Sequence, residues 1–200
     1  MTRFYYVILI SLPIIVYYIC KAEYYAHHRE RYDEDTCYHL AKNIVNWVKR
    51  NARVKTISYG AENLPDEGGY IMYPNHQGKY DVMGIICTHK KTCSFVMDKK
   101  KSHTMLVREV CDLVQAKRLE KDNPRQGITV INEVAKEVAA GKRYILFPEG
   151  GYRFNNRNEL GEFKAGSFKI ALKSKVPIVP IALYDSYKVF NSFYFGPVET

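Results

Sequence analysis

From Val54 onward, short apolar runs alternate with segments whose apolar residues recur at helical spacing, and no other feature limits the fold as strongly. Val54–Tyr59, Tyr70–Tyr73, Cys93–Met97, Gln115–Leu119, Tyr144–Phe147 and Val176–Leu183 read as strands. Between them, Asp81–Thr88, Ser102–Leu113, Pro124–Ala140 and Ala165–Lys173 read as helices, with Ser102 a candidate N-cap and Gly141 a stop. Ile128, Ile131, Val134, Ala135 and Val138 form one face of the third of these. Ahead of the alternation, Cys37, Leu40, Ala41, Ile44 and Val48 mark a further amphipathic helix. Glu62–Gly69 is rich in turn residues and reads as a loop. Strands bounded by helices in this way imply an α/β fold: a mostly parallel or mixed sheet flanked by helices. The last run, Val176–Leu183, is apolar almost throughout and is expected to be a buried strand that walls a site without doing chemistry.

The first segment differs in kind. Phe4–Cys20 carries no charge and has Tyr5, Tyr6, Tyr17 and Tyr18 towards its two ends, where amphipathic rings favour a membrane interface. Pro13 is tolerable in such a helix. A cleaved signal peptide would need a small-residue cleavage site after the run, and none is present. A buried soluble helix would be apolar on one side, whereas this run is apolar all round. A membrane-anchoring helix, spanning or lying in one leaflet, is the expectation. Lys21, Arg29 and Arg31 after the run outnumber Arg3 before it, which sets the remaining chain on the cytoplasmic side of the cell membrane. The expected organisation is an anchor over 1–23, a linker (Tyr24–Asp35) and amphipathic helix over 24–53, and a main domain over 54–200 that could continue beyond the Phe195-Gly196-Pro197 segment and Thr200.

The net charge of +9 suits an anionic membrane, an anionic substrate, an acidic carrier or nucleic acid. No nucleic-acid motif accompanies the clusters at Lys90-Lys91 and Lys99-Lys100-Lys101, so nucleic acid is not expected as a partner. The five cysteines are odd in number and lack C-x-x-C spacing, which gives neither a disulfide framework nor a zinc site.

Two constellations carry chemistry. Asn75-His76-Gln77-Gly78-Lys79-Tyr80-Asp81 follows a strand and opens a helix. A carboxylate in the first helical turn can hold one nitrogen of a loop imidazole and fix the tautomer whose other nitrogen accepts a proton. The substrate would supply the nucleophile that a Ser-His-Asp triad carries itself. The same spacing also fits an exposed loop histidine and a helix-capping aspartate. Phe147-Pro148-Glu149-Gly150-Gly151-Tyr152-Arg153 also follows a strand, where ligands bind in open α/β sheets. Glu149 and Arg153 there offer either opposite charges to a polar substrate or a surface ion pair.

Together with Glu62-Asn63-Leu64-Pro65, Phe163-Lys164-Ala165-Gly166 and Val176–Ile181, these segments resemble the 1-acyl-sn-glycerol-3-phosphate acyltransferase family from about Val54 to about Leu183. The resemblance implies that His76, oriented by Asp81, is the general base on the free hydroxyl of lysophosphatidic acid. It implies an acyl thioester as donor, carried by acyl-carrier protein or acyl-CoA, and no metal or other cofactor. Glu149, Gly150 and Arg153 match the block that such enzymes use for the acceptor. That block usually reads Glu-Gly-Thr-Arg; here Gly151 stands for Thr and Tyr152 for Arg, with Arg153 one place later. The family's phosphate-binding arginine has two counterparts, Arg118 and Lys121, and a lysine would act there as a point charge. Glycerol-3-phosphate or another lysolipid as acceptor, and a non-catalytic, membrane-tethered lipid-binding protein, stay open as alternatives.

Overall fold

The computed structural model describes residues 2–153, 157–191 and 197–200. In chain order it contains α1 (Thr2–His27), α2 (Glu34–Asn51), β1 (Val54–Lys55), β2 (Tyr70–Pro74), α3 (Asp81–Thr88), β3 (Ser94–Asp98), α4 (Lys99–Ser102), α5 (Val107–Leu113), β4 (Lys117–Leu119), α6 (Pro124–Ala139), β5 (Arg143–Ile145), α7 (Lys169–Ser174), β6 (Ile178–Ile181), α8 (Lys188–Asn191) and β7 (Val198–Glu199). Single 3-10 turns lie at Ala61–Asn63 and Ala165–Phe168. Five strands form one sheet in the order β4-β3-β5-β2-β6, every pair parallel; β1 and β7 form a separate parallel pair.

Alternation along β2, which lies between β5 and β6, explains why both faces are covered. Tyr70 and Met72 point to one side, into a cluster with Cys37, Leu40 and Ala41 of α2, Ile85 and Ile86 of α3, and Cys111 and Leu113 of α5. Ile71 and Tyr73 point to the other, where Val130, Val134 and Val138 of α6 meet Ile170 and Ala171 of α7. A parallel sheet needs this double covering because its crossover helices fall on its faces. Local signals set the helix ends: Asp33 caps α2 by accepting from Thr36 N at 2.7 Å, and Asn123 caps α6 by accepting from Gln126 N at 3.1 Å. Gly141 follows the end of α6, where a stop is expected.

Several expectations change. The strand read over Val54–Tyr59 is only Val54–Lys55, and it pairs with β7 outside the main sheet. The helix read over Ser102–Leu113 is two helices broken at Leu106, which adopts φ +69°. Ser102 therefore ends α4 and donates to Lys99 O at 2.7 Å, while Asp98 is the cap, accepting from Lys101 N at 3.1 Å. Ile128 is exposed, and Val130 takes the buried place on α6. The last apolar run is not a buried strand: β6 is the sheet edge and Ile178 is half exposed. Pro177 and Pro180 fit an edge, where the missing N–H has no ladder to break.

The N-terminal run also reads differently in three dimensions. The helix continues into the expected linker as far as His27 and packs against α2 and α5. Ile15 and Ala22 are buried, Tyr18 lies against Trp47, and Tyr25 stacks on Tyr32 at 3.7 Å between centroids. Among the described residues, no helix is long and apolar enough to cross a membrane. Leu9, Leu12, Ile14, Val16 and Tyr17 nevertheless leave an exposed apolar side. The side chains of Phe4, Tyr6, Val7, Ile8, Ile10 and Ser11, and the segment Phe195-Gly196, lie outside the described residues.

Candidate active site

The two constellations arrive side by side because β2 and β5 are neighbours in the sheet and each loop leaves its strand at the C-terminal end. His76 Nδ1 lies 2.6 Å from Asp81 Oδ2. Asp81 is 0% exposed, and the same oxygen accepts from Gln77 N at 2.6 Å and Gly78 N at 2.9 Å. Its other oxygen accepts from the Ser186 hydroxyl. A carboxylate oxygen only accepts, so each of these contacts is a donor turned towards Asp81. Asp81 therefore takes the Nδ1 proton, and Nε2 keeps a lone pair. The His76 side chain is 17% exposed, so its ring is reachable where Asp81 is not.

Aromatic neighbours fix the imidazole plane. Phe147 stacks on it at 4.1 Å and Tyr152 meets it edge-on at 4.8 Å. Burial, and then the Asp81 charge, push the Tyr152 phenol above its usual 10.

Glu149 is not part of a surface ion pair with Arg153. It is buried, and each oxygen is taken by a backbone N–H: His76 N at 2.8 Å and Gly161 N at 3.0 Å. Gly150 and Gly151 adopt φ +69° and +154°, backbone that glycine supplies at least cost. Three lysines converge on this turn. A methyl group at Gly150 would come within 2.9 Å of Lys164 Nζ, and one at Gly151 within 3.3 Å of Lys121 Nζ. Lys101 Nζ lies 5.1 Å from the centre of the Tyr152 ring.

The two candidates for a phosphate contact separate cleanly. Lys121 faces Gly151, with Asp98 3.8 Å away. Arg118 is held elsewhere, by Ser102 Oγ at 3.0 Å and Asp112 at 2.5 Å. Arg153 is exposed on the far side of Tyr152 in the chain. Among the described residues no group of three or more His, Cys, Asp or Glu is placed to hold a metal ion. Lys101, Lys164, Gln77 and Ser186 were not singled out by sequence reasoning for this site. Gln77, Lys101 and Lys164 lay in segments already marked, as part of the His76 constellation, a charge cluster and a family block, whereas Ser186 lay in none.

A profile of the family described as Acyltransferase matches residues 55–184, most of the chain and all of this site save Ser186. The chain is 30% identical over 136 residues to the putative 1-acyl-sn-glycerol-3-phosphate acyltransferase acl-1 of Caenorhabditis elegans, covering 66% of this chain and 50% of that one. It is 27% identical over 140 residues to the 1-acyl-sn-glycerol-3-phosphate acyltransferase of Saccharomyces cerevisiae, covering 66% and 46%. The chain spans about half the length of these curated relatives. The crystal structure of the 1-acyl-sn-glycerophosphate (LPA) acyltransferase PlsC from Thermotoga maritima shares the fold: TM-score 0.73 at 18% identity, over 99% of this chain and 78% of that one. The chain belongs to the Acyltransferase family, and the relatives it resembles there are 1-acyl-sn-glycerol-3-phosphate acyltransferases.

Proposed function

We propose that this protein transfers a fatty acyl group from an acyl thioester to the sn-2 hydroxyl of 1-acyl-sn-glycerol-3-phosphate, giving phosphatidic acid. The observation that carries the reading is the buried Asp81 holding His76 Nδ1 at 2.6 Å, which leaves Nε2 to act as a base on a hydroxyl that the acceptor supplies. Nε2 takes the acceptor's hydroxyl proton as that oxygen attacks the thioester carbonyl. Asp81 stabilises the imidazolium that forms. The tetrahedral intermediate collapses with loss of the thiolate, which takes the proton back from Nε2. Acyl-carrier protein and acyl-CoA both present such a thioester. Relatives that carry the name 1-acyl-sn-glycerol-3-phosphate acyltransferase support this acceptor.

The acceptor's phosphate would lie over the Gly150–Tyr152 turn, where Lys101, Lys121 and Lys164 supply point charges. Arg153 stands beside this turn as a further cation, whereas Arg118 would act only indirectly through β4. Glu149 would hold the backbone of His76 instead of touching substrate. The exposed apolar side of α1 would lie in one leaflet of the cell membrane, among the lipids that supply the acceptor, with the remaining chain on the cytoplasmic side.

Thiol release from an acyl thioester in detergent micelles tests the reading, with and without lysophosphatidic acid and with glycerol-3-phosphate in its place. Release that depends on lysophosphatidic acid and is lost in His76→Ala supports it. Release only with glycerol-3-phosphate moves the acceptor. A folded protein that binds lysophosphatidic acid but releases nothing would make it a lipid-binding member of the family.

A further inference from the structure

Asp81 is held from two directions, and only one of them belongs to the His76 segment. Oδ2 receives His76 Nδ1, Gln77 N and Gly78 N, all from residues just ahead of α3. Oδ1 receives a single described donor, the hydroxyl of Ser186, which comes from the chain that follows β6, 105 residues later. Ser186 is buried, as is the carboxylate it meets. Its hydroxyl has a second acceptor, Gln77 Oε1 at 3.1 Å, but a donor between an amide and a carboxylate favours the charge.

The segment that carries Ser186 is knitted to both flanks of His76. Asn75 Nδ2 donates to Leu183 O at 3.1 Å, and Leu183 N donates back to Asn75 Oδ1 at 2.6 Å. Gln77 Nε2 donates to Leu183 O at 2.9 Å, and Ser186 N donates to Gln77 Oε1 at 3.0 Å. Asp185, between them, adopts φ +60°, and the chain that follows brings Ser186 to Asp81 at the start of α3. A surface connection would not need a left-handed aspartate and a buried serine. The position of the hydroxyl is fixed by backbone bonds of its own, independent of Asp81.

We infer that Ser186 is a positioning residue for the His76–Asp81 pair. It anchors Oδ1, so that the carboxylate plane cannot turn Oδ2 away from Nδ1. This rests on the general-base reading of His76 for its effect on rate, but not for its effect on the imidazole. Removing the hydroxyl leaves a buried carboxylate oxygen without this donor, which lowers kcat about ten- to a hundredfold. It leaves KM for the acceptor unchanged, because Ser186 does not reach the turn where the phosphate would lie. The more basic carboxylate raises the imidazole pKa, and the acid limb of the pH–rate profile moves to higher pH.

The experiment compares wild type, Ser186→Ala and Ser186→Thr in two readouts. One is the pH profile of kcat and kcat/KM for acyl transfer to lysophosphatidic acid. The other is the imidazole titration by nitrogen-15 NMR, with the His76 signal assigned from His76→Ala. The expected result is a lower kcat and an upward shift of the His76 titration in Ser186→Ala, unmoved signals for the other histidines, and recovery of both in Ser186→Thr. A His76 titration and kcat equal to wild type in Ser186→Ala would overturn the inference. Should Ser186→Ala lose its cooperative melt, Ser186→Cys keeps the volume with a weaker donor and must show the same upward shift. If His76→Ala still transferred acyl groups, the general-base reading would fall, while the NMR titration would still decide whether Ser186 sets the imidazole.

Discussion

One histidine stands before α3 and another caps its end, and the two surroundings ask opposite things of the same ring. His76, ahead of the helix, gives Nδ1 to Asp81 and keeps a partly exposed ring. His89, the C-cap, is buried with both nitrogens in use: Nδ1 is 2.6 Å from Lys91 O, and Nε2 is 2.6 Å from the Tyr70 hydroxyl. The carbonyl can only accept, so Nδ1 carries the proton, and Tyr70 then donates to Nε2. Burial is the main reason the His89 pKa is lowered from 6.5. A ring that must exchange protons needs a fixed charge on one nitrogen and an open approach to the other. A ring that ties strand β2 to α3 needs two neutral partners and no approach. The difference lies in what surrounds the ring, not in the helix that both share.

The sharpest way to break the comparison is to delete each ring. His76→Ala should lower kcat/KM for transfer to lysophosphatidic acid by about 10²–10⁴-fold while leaving the melting temperature close to wild type. Full activity in that variant would mean that His76 does no more than His89. Asp81→Asn comes next. The amide can accept but also donates, so the tautomer is no longer fixed, and we expect a loss of about a hundredfold. The same assay at several pH values checks it, since a lost tautomer should not be recovered by raising pH. For His89→Leu the effect should appear in stability alone, because the Tyr70 hydroxyl and Lys91 carbonyl lose their partner; the cost is about 2 kcal/mol, or roughly 4–8 °C in Tm. Adding Tyr70→Phe removes the orphaned hydroxyl and should restore part of that loss in urea melts.

How much of this could be read from the chain follows from separation in sequence. His76 and Asp81 were legible because a loop and the helix it opens bring them together within one turn. The parallel sheet was legible because its strands are short apolar runs between periodic helices. Ser186 on Asp81 and Glu149 on His76 N were not, since these bonds join residues 105 and 73 positions apart and no local pattern marks a lone serine or a carboxylate bound to backbone. Glu149 looked like a charge offered to substrate because composition cannot show which way it faces. The apolar run at Val176–Leu183 looked buried because hydrophobicity does not report sheet position, although its two prolines carried the edge signal. On α1, apolar residues all round suggested a membrane anchor, spanning or lying in one leaflet, whereas part of that surface is used against α2 and α5.

A smaller perturbation asks whether His76 depends on its backbone anchor as well as on Asp81. A methyl group at Gly161 would collide with Glu149 Oε2, the oxygen that Gly161 N now holds. Gly161→Ala should push Glu149 aside and loosen its bond to His76 N, lowering kcat about tenfold through misplacement of the ring, with little change in stability. Unchanged kinetics would show that Phe147, Tyr152 and Asp81 suffice to hold the imidazole. His89 should not respond, because its partners are elsewhere.

The smallest effect separates the two rings by pH. The folded pKa of His89 lies below 6.5, its ordinary value in the unfolded chain. Below pH 6.5 the unfolded chain therefore binds a proton that the folded chain does not, and folding becomes less favourable as pH falls from there through the folded pKa. Above pH 6.5 both states hold a neutral ring, so the contribution of His89 is fully present and flat. Urea midpoints of wild type and His89→Leu, measured from about pH 8 to about pH 5, should differ most above pH 6.5, and the gap should narrow as the pH falls. A gap that stays constant over the whole range would mean that His89 can be protonated in place. The two ends of α3 would then differ in partners alone and not in access to protons.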